Sequence, residues 1–247
     1  MRLKNAQGEE LDVLVEGNKY SEITVVLVHG FGTDKNESSQ YFVDISQHLS
    51  HDFRIVRFDF TGYGKSDGIQ EEGNFIKHAD DLNCIVQWVQ TTYPGEVYMI
   101  AHSLGCFVAT LSSPENISKC VFTGIPNANI QIMINKIRER ILLKGGSVNE
   151  EGISIYPRSN GEIQRIGPSF WRIFTDLKPV QLIDSFSKKT SLLILKPLQD
   201  EITGNEYFEE YKNIKSLTFM EINGDHTFTK NDSRLQLLNH IKNFFSK

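Results

Sequence analysis

Residues 97–105 read VYMIAHSLG, and the fold can be worked out from this stretch. Its first five residues form an apolar strand, and Leu104 begins an apolar helical pattern. Ser103 therefore falls on a sharp strand-to-helix turn, where a hydroxyl is exposed above the edge of a sheet. The small residues Ala101 and Gly105 suit a strained turn, because bulk there would clash with neighbouring backbone. The helix that follows directs its N-terminal amides towards negative charge forming near Ser103.

Outward from this stretch, apolar strands alternate with helical patterns. Ile23–Val28 (ITVVLV) has no polar alternation, which is typical of a strand buried on both faces. Further strands are predicted at Phe53–Phe60, Lys119–Thr123, Ser191–Leu195 and Leu217–Ile222, and helices at Phe75–Thr92, Leu104–Leu111 and Arg234–Phe245. This alternation predicts an α/β fold with a mostly parallel central sheet and helices on both faces. Active sites of such sheets lie beyond the carboxyl ends of the strands.

The organisation of the chain predicts a single domain over residues 1–247, because no repeat, low-complexity tract or linker divides it. The opening stretch predicts a hairpin, since Leu11–Val15 alternates apolar and polar residues and Gly17-Asn18 can turn it. One connection, residues 124–190, is much longer than a βαβ crossover needs. We interpret this segment as a small inserted cap over the active edge of the sheet, and we call it the cap.

The cap combines a helical pattern, a basic face and an aromatic group. Its helix is predicted at Ile130–Leu143, and its bulky apolar group consists of Phe170, Trp171, Ile173 and Phe174. The basic face of the helix carries Lys136, Arg138, Arg140 and Lys144. Such a face suits an anionic ligand or a membrane surface, but charge runs are weak evidence, and we favour a solvated helix face.

Composition argues against several classes of protein. The hydrophobic fraction of 39% and the charged fraction of 23% are typical of a globular domain, and a net charge of -5 argues against a nucleic-acid partner. The sequence has neither an apolar run long enough for a membrane span nor an apolar signal segment, so we expect a cytoplasmic protein. Its cysteines, Cys84, Cys106 and Cys120, lack zinc-site spacing, and we expect reduced thiols, no metal and no cofactor.

Three motifs resemble those of the α/β-hydrolase superfamily. AHSLG at 101–105 resembles its GxSxG nucleophile elbow, with Ala101 in place of the first glycine. HGFG at 29–32, directly after ITVVLV, resembles its oxyanion loop, and DFTGYGKS at 59–66 resembles its DxxGxGxS segment, in which Asp59 is structural. The chain is similar to serine hydrolases of this fold, in particular to cinnamoyl/feruloyl-esterase-like and monoacylglycerol-lipase-like members.

This resemblance implies a catalytic triad and an oxyanion hole. Ser103 is then the nucleophile, and the base is a histidine later in the chain. His226, in the loop NGDHTF after the last strand, resembles the histidine loop of the superfamily, whereas His240 lies on the predicted closing helix. The backbone N–H groups of Phe31 and Leu104 would stabilise the oxyanion.

The triad acid is expected in the loop that follows the strand SLLIL. There KPLQDEI resembles a GxxDxxV-like loop, in which Asp200 takes the acid position and Pro197 replaces the usual glycine. Glu201 stays open as the alternative acid. Asp225 is less favoured, because a sequence neighbour rarely reaches the ring of His226 suitably.

The function implied by the resemblance is hydrolysis of a small acyl or aryl carboxylic ester through an acyl-enzyme on Ser103. Phe31 and Trp171 are predicted to bind this small-molecule substrate, although the aromatic group of the cap could equally be its own core. An amide, thioester or carbon–carbon bond hydrolase, or an acyltransferase, with the same triad stays open. The polar cap residues Arg158, Asn160 and Arg165 would then bind a charged substrate.

A protein of another class also stays open, namely a non-catalytic ligand receptor on the same fold. Such receptors usually lack a triad member, whereas Ser103, Asp200 and His226 are all present here. The sequence is compatible with a monomer or a homodimer. A panel of esters, amides and thioesters would separate the enzymatic alternatives from one another.

Overall fold

The computed structural model describes residues 1–158 and 161–247. Within these ranges the strands are β1 (Arg2–Lys4), β2 (Glu10–Gly17), β3 (Ile23–Val28), β4 (Arg54–Phe58), β5 (Glu96–His102), β6 (Ile117–Thr123), β7 (Ser154–Pro157), β8 (Ile163–Ile166), β9 (Ser191–Pro197) and β10 (Leu217–Ile222). Strands β7 and β8 form a separate antiparallel hairpin. The others form one sheet in the order β1-β2-β4-β3-β5-β6-β9-β10, which is parallel from β4 onwards.

The helices of the described residues are α1 (Tyr41–Leu49), α2 (Phe75–Thr92), α3 (Gly105–Ser112), α4 (Ile130–Leu143), α5 (Pro168–Arg172), α6 (Pro179–Ser187), α7 (Glu209–Lys212) and α8 (Asn231–Phe245). Helix α2 begins where predicted because the side chain of Asn74 accepts the N–H groups of Ile76 and Lys77. Asn129 caps α4 in the same way. Across the described ranges, no helix has the length and apolarity to cross a membrane.

Helices cover both faces of the sheet, which explains its uninterrupted apolar strands. In β3, Val26 and Val28 belong to the core under α2 and α3, whereas Val25 and Leu27 belong to the core under α1 and α8. Successive residues of a strand point to opposite faces, so a strand covered twice must be apolar throughout. The predicted α/β fold, with a mostly parallel central sheet between helices, is confirmed.

The opening hairpin exists, but its predicted turn is wrong. Strand β1 pairs with β2 through a turn at Asn5–Glu9, where the Asn5 carboxamide oxygen accepts the N–H groups of Gln7 and Glu9. Gly17 instead ends β2 against β4, since a Cβ there would lie 2.4 Å from the carbonyl oxygen of Phe53. An Asx turn therefore closes the hairpin, and β2 pairs antiparallel with β4 on its other side.

The segment 124–190 contains more secondary structure than the sequence indicated. Helix α4 has the predicted bounds, whereas the hairpin β7–β8 and helix α6 were not foreseen. The hairpin is tied to a loop of the sheet, because Gln164 Nε2 donates to the Tyr63 hydroxyl at 3.1 Å. In addition, the backbone N–H of Arg165 donates to Gln70 Oε1 at 2.7 Å.

Candidate active site

The carboxyl edge of the parallel strands brings four separate loops together. Phe31 follows β3, Ser103 follows β5, Asp200 follows β9, and His226 follows β10. Because parallel strands end at the same edge, residues far apart in the chain meet there. The edge therefore carries all the residues that the motifs singled out for catalysis, with Leu104 next to Ser103.

The backbone at Ser103 adopts the strained geometry of a nucleophile elbow. Its φ is 53°, in the left-handed region, and its N–H donates to the Thr123 carbonyl at 3.0 Å. The following glycine is required by close approach, since a Cβ on Gly105 would lie 2.5 Å from the carbonyl oxygen of His29. A Cβ on Gly30 would lie 3.0 Å from that of Ser103. Both glycines let the oxyanion loop pack directly against the turn.

Three side chains form a continuous chain of hydrogen bonds at this edge. Ser103 Oγ lies 3.0 Å from His226 Nε2, and His226 Nδ1 lies 3.0 Å from each carboxylate oxygen of Asp200. His226 and Asp200 are buried, whereas Ser103 is half-buried and lines a cavity. With Nδ1 protonated, the imidazole donates to the carboxylate and accepts from the serine hydroxyl, as a general base requires.

Asp200 is the candidate acid that contacts His226 in this structure. Burial alone would raise the pKa of Asp200, but His226 and the N–H of Thr203, which donates at 2.8 Å, hold that pKa well below its usual range. Glu201 is exposed, and the carboxylate of Asp225 accepts the backbone N–H of Thr229. The structure thus brings Asp200 into contact with His226, and it brings neither Glu201 nor Asp225 there.

The predicted oxyanion donors are Phe31 and Leu104, and both line the same cavity as Ser103. Among the described residues, neither of their N–H groups has a hydrogen-bond acceptor. His29 fixes the loop, because its Nδ1 lies 2.9 Å from the Gly30 carbonyl and its Nε2 accepts the N–H of Phe60 at 3.1 Å. Two free backbone donors beside a serine hydroxyl form the arrangement that stabilises a developing oxyanion.

Glu37 is a residue of this site that sequence analysis missed. Its buried carboxylate accepts the N–H of Gly30 and, at 3.0 Å, the N–H of Ser38. Burial would raise the pKa of Glu37, but the imidazoles of His102 and His29 and these two N–H donors lower it. The only sequence signal was its position, eight residues after His29. Glu37 holds the oxyanion loop in place from beneath.

His102 lies beside the base and does not take its place. Its Nδ1 lies 3.0 Å from Thr123 Oγ1, and its ring centroid is 4.7 Å from that of His226. Burial lowers the pKa of His102 to about 4, so this imidazole is neutral at pH 7. In the described part of the chain, no cluster of three His, Cys, Asp or Glu side chains could hold a metal ion.

A cavity of about 980 Å³ opens above Ser103, between the sheet edge and the cap. Phe31 lines this cavity and stacks on Phe170, with ring centroids 4.2 Å apart. Trp171 does not line it: its indole is buried and donates through Nε1 to Ser154 Oγ at 3.2 Å. The structure therefore places the predicted substrate contact Trp171 in the core of the cap, away from the cavity that Ser103 lines.

The basic residues of the cap differ in the direction they face. Two from α4 and the residue that directly follows it line the cavity, at intervals of four residues: Lys136, Arg140 and Lys144. Arg138 lies outside this series and pairs with Glu150 at 2.5 Å. The interpretation of the basic face as simply solvated therefore does not describe Lys136 and Arg140, which are half-buried at the cavity, whereas Lys144 is exposed.

The three polar cap residues predicted to bind a charged substrate are also separated by the fold. Arg158 lines the cavity, whereas Arg165 pairs with Glu71 outside it. Asn160 lies outside the described residues. Of the two described residues, only Arg158 is therefore placed to meet a ligand in the cavity.

Residues 23–141 match the family model described as alpha/beta hydrolase fold. Over 154 residues the chain is 27% identical to 2-hydroxy-6-oxononadienedioate/2-hydroxy-6-oxononatrienedioate hydrolase 1 of Pseudomonas putida, a match that covers 60% of this chain and 53% of that protein. A hydrolase of the same substrates from Paraburkholderia phymatum is 29% identical over 122 residues, covering 47% and 41%. The chain thus spans about half the length of the curated relatives it matches.

Among solved structures, the chain is similar to Est1E of Butyrivibrio proteoclasticus with ferulic acid bound, at a TM-score of 0.78 and 20% identity, covering 99% of this chain and 97% of that one. It is also similar to the esterase domain of a Rhodothermus marinus protein, at a TM-score of 0.72 and 17% identity, covering 99% of this chain and 95% of that one. It is similar as well to mouse alpha/beta hydrolase domain-containing protein 10, at a TM-score of 0.71 and 16% identity, covering 100% of this chain and 98% of that one. At these identities, the likeness is one of fold.

Proposed function

The chain is an α/β-hydrolase-fold protein that resembles esterases, and from this premise we propose that it cleaves small acyl or aryl carboxylic esters through an acyl-enzyme on Ser103. The observation that carries the proposal is the hydrogen-bonded series from Ser103 through His226 to Asp200. Fold alone does not imply activity, whereas three such groups in contact beside a cavity support a specific reaction.

Acylation begins when Ser103 Oγ attacks the ester carbonyl carbon and passes its proton to His226 Nε2. Asp200 stabilises the imidazolium that forms and holds it in the productive orientation. The backbone N–H groups of Phe31 and Leu104 donate to the oxyanion of the tetrahedral intermediate. His226 then protonates the departing alkoxide, the ester C–O bond breaks, and the acyl group remains on Ser103.

Deacylation repeats the same proton transfers with water. His226 accepts a proton from the attacking water, whose oxygen forms a second tetrahedral intermediate at the acyl carbon. Its collapse returns the proton to Ser103 Oγ and releases the carboxylic acid. Apolar side chains that line the cavity, such as Phe31, Met133 and Ile137, suit a short acyl or aryl group.

A second candidate function uses the same triad on a different bond. It is favoured by the sequence similarity to hydrolases of 2-hydroxy-6-oxononadienedioate. Under this alternative the bond cleaved is a carbon–carbon, amide or thioester bond, or the acyl group passes to an acceptor other than water. The two candidates predict different rates on matched ester, thioester and anilide substrates that share one acyl group.

The first test is covalent labelling of Ser103 by a fluorophosphonate, read as intact mass and mapped by peptide sequencing. We expect one adduct, located on Ser103, and none in the Ser103→Ala variant. An active site of this kind should then hydrolyse 4-nitrophenyl butyrate at least about 100-fold faster than the matching anilide. A folded protein that forms no adduct would contradict the proposal and favour a non-catalytic ligand receptor.

A further inference from the structure

The cavity above Ser103 has a basic wall that the proposed reaction does not itself require. Helix α4 contributes Lys136 and Arg140 to this wall, Lys144 directly follows α4, and Arg158 directly follows β7. Ester hydrolysis by a serine, a histidine and an aspartate needs no further cation. In a chain of net charge -5, a concentration of positive charge beside the nucleophile calls for a ligand that uses it.

Ion pairing separates the outer cations of the cap from the inner ones. Facing away from the cavity, Arg138 pairs with Glu150, Arg165 with Glu71, and Arg172 with Glu151. Within residues 1–158 and 161–247, no carboxylate forms an ion pair with the inner cations Lys136, Arg140 and Arg158. An unpaired cation in a partly buried cavity gains most from an anionic ligand, because little solvent screens the pair.

Neutral partners hold the two arginines in place. Arg140 Nε donates to the Tyr156 hydroxyl at 3.2 Å, and the Arg158 guanidinium lies over the Tyr156 ring, 4.7 Å from its centroid. Arg158 Nη1 also donates to Gln164 Oε1 at 3.2 Å. These contacts orient both guanidinium groups while leaving their charge uncompensated, which preorganises them for a ligand.

Two of these cations lie against the loops that carry the candidate catalytic groups. A Cβ on Gly32, next to the oxyanion donor Phe31, would lie 2.8 Å from Arg158 Nη1. A Cβ on Gly204, in the turn that follows Asp200, would lie 3.8 Å from Lys136 Cε. An anionic group bound here would therefore lie in the cavity that Ser103 also lines.

Three acidic side chains line the same cavity, and two of them accept hydrogen bonds from backbone N–H groups. Glu37 accepts two backbone N–H groups beneath the oxyanion loop, and Asp34 Oδ1 accepts the N–H of Asn36 at 2.8 Å. Glu162 also lines the cavity. Among the described residues, Lys136, Arg140 and Arg158 thus remain available to a ligand.

We propose that the substrate is an anionic ester, whose carboxylate or phosphate group binds Arg158, with Arg140 and Lys136 beside it, while its ester group lies at Ser103. The proposal rests on the proposed hydrolase function and narrows its substrate class. A planar guanidinium donates two hydrogen bonds at once to a carboxylate or phosphate, so Arg158 supplies orientation as well as charge.

The test compares mono-4-nitrophenyl adipate, which carries a free carboxylate, with its neutral methyl ester, in phosphate-free buffer. The measured quantity is the ratio of the two kcat/KM values, which cancels effects common to both esters. We expect the wild type to favour the charged ester by about 10- to 100-fold, as one charged hydrogen-bonded contact allows. Arg158→Gln should lower that ratio by about 10-fold.

Arg165→Gln and Arg138→Gln are matched controls, since each removes a cap arginine that pairs outside the cavity. Both should leave the ratio within about twofold of the wild type. A wild type that hydrolyses the neutral ester equally well, or an Arg158→Gln ratio equal to that of the controls, would overturn the proposal. If Ser103 is labelled by a fluorophosphonate in that case, the hydrolase function stands and only the anionic substrate is lost.

Calorimetry tests anion binding without turnover and separates the two ligand sources. Adipate and inorganic phosphate are titrated in turn into the wild type and into Arg158→Gln. Binding of adipate alone indicates a carboxylate, and binding of phosphate alone indicates a phosphate ester. In either case Arg158→Gln should weaken the affinity for the anion about 10-fold. If neither anion binds at about 10 mM, the proposal fails whether or not the protein hydrolyses esters.

Discussion

The loops at the sheet edge and the cap above them differ in how their polar side chains are held. At the edge, Ser103, His226 and Asp200 satisfy one another, and backbone N–H groups fix the carboxylate. In the cap, Arg140 and Arg158 are oriented by neutral partners and keep an uncompensated charge. The difference suggests that the edge supplies the chemistry and that the cap supplies the selectivity.

The largest expected effect falls on the edge. Ser103→Ala should lower kcat roughly a million-fold, because the acyl-enzyme can no longer form. The melting temperature should change by less than about 2 °C, since one half-buried hydroxyl is lost. Ser112→Ala, at the end of α3, is the control and should keep full activity. A Ser103→Ala protein with substantial turnover would place the nucleophile elsewhere.

The next largest effect should come from Asp200→Asn. The amide cannot keep His226 in the tautomer that accepts the Ser103 proton, so we expect kcat to fall roughly 10,000-fold. Glu201→Gln is the matched control, because its exposed side chain should change the rate by less than about twofold. Steady-state kinetics on one aryl ester compare the two. The opposite ranking would assign the acid to Glu201.

Acid should destabilise the protein through two buried histidines, His102 at the edge and His78 in α2. Burial lowers the pKa of His102 to about 4 and that of His78 to about 3, from an ordinary value of 6.5. Below pH 6.5 the unfolded chain therefore binds more protons than the folded one. The free energy of unfolding should fall between pH 6.5 and 4 by roughly 1 kcal/mol per pH unit for each imidazole.

Urea titrations at several pH values between 4.5 and 7.5 measure this slope. The pKa values of Glu37 and Asp200 are lowered in the folded protein, so their contribution to the free energy of unfolding is also lost as pH falls. His102→Gln should reduce the slope by about half, because it leaves His78 as the buried imidazole that titrates. An unchanged slope in that variant would mean that the pKa of His102 is the same in the folded and the unfolded protein.

The smallest effect concerns the core of the cap. Trp171→Phe removes the hydrogen bond to Ser154 and should cost about 1 kcal/mol of stability, while KM for a small aryl ester stays within about twofold. Phe31→Ala, at the cavity wall, should instead raise KM about 10-fold. Equal KM changes in both variants would mean that Trp171 contributes to substrate binding as much as Phe31 does.

Features that depend on local pattern could be predicted from the sequence. The uninterrupted apolar run of β3 and the bounds of α2 lie where predicted, because burial on two faces and helical spacing of apolar residues both leave a local signature. Helix α1 was not predicted, since no side-chain cap marks its start and backbone with positive φ precedes it. The hairpin β7–β8 was also missed, because its tether to Tyr63 is a tertiary contact.

The sequence by itself determined the fold class and the motifs around Ser103 and His226, since strand–turn–helix punctuation and glycine spacing are local properties. Only the tertiary structure decided that Asp200 meets His226, that Glu37 supports the oxyanion loop, and that Arg158 faces the cavity. These facts depend on which loops converge at one sheet edge and on which side of a cap element points inwards. Such relations join residues distant in the chain, and no local pattern of side chains encodes them.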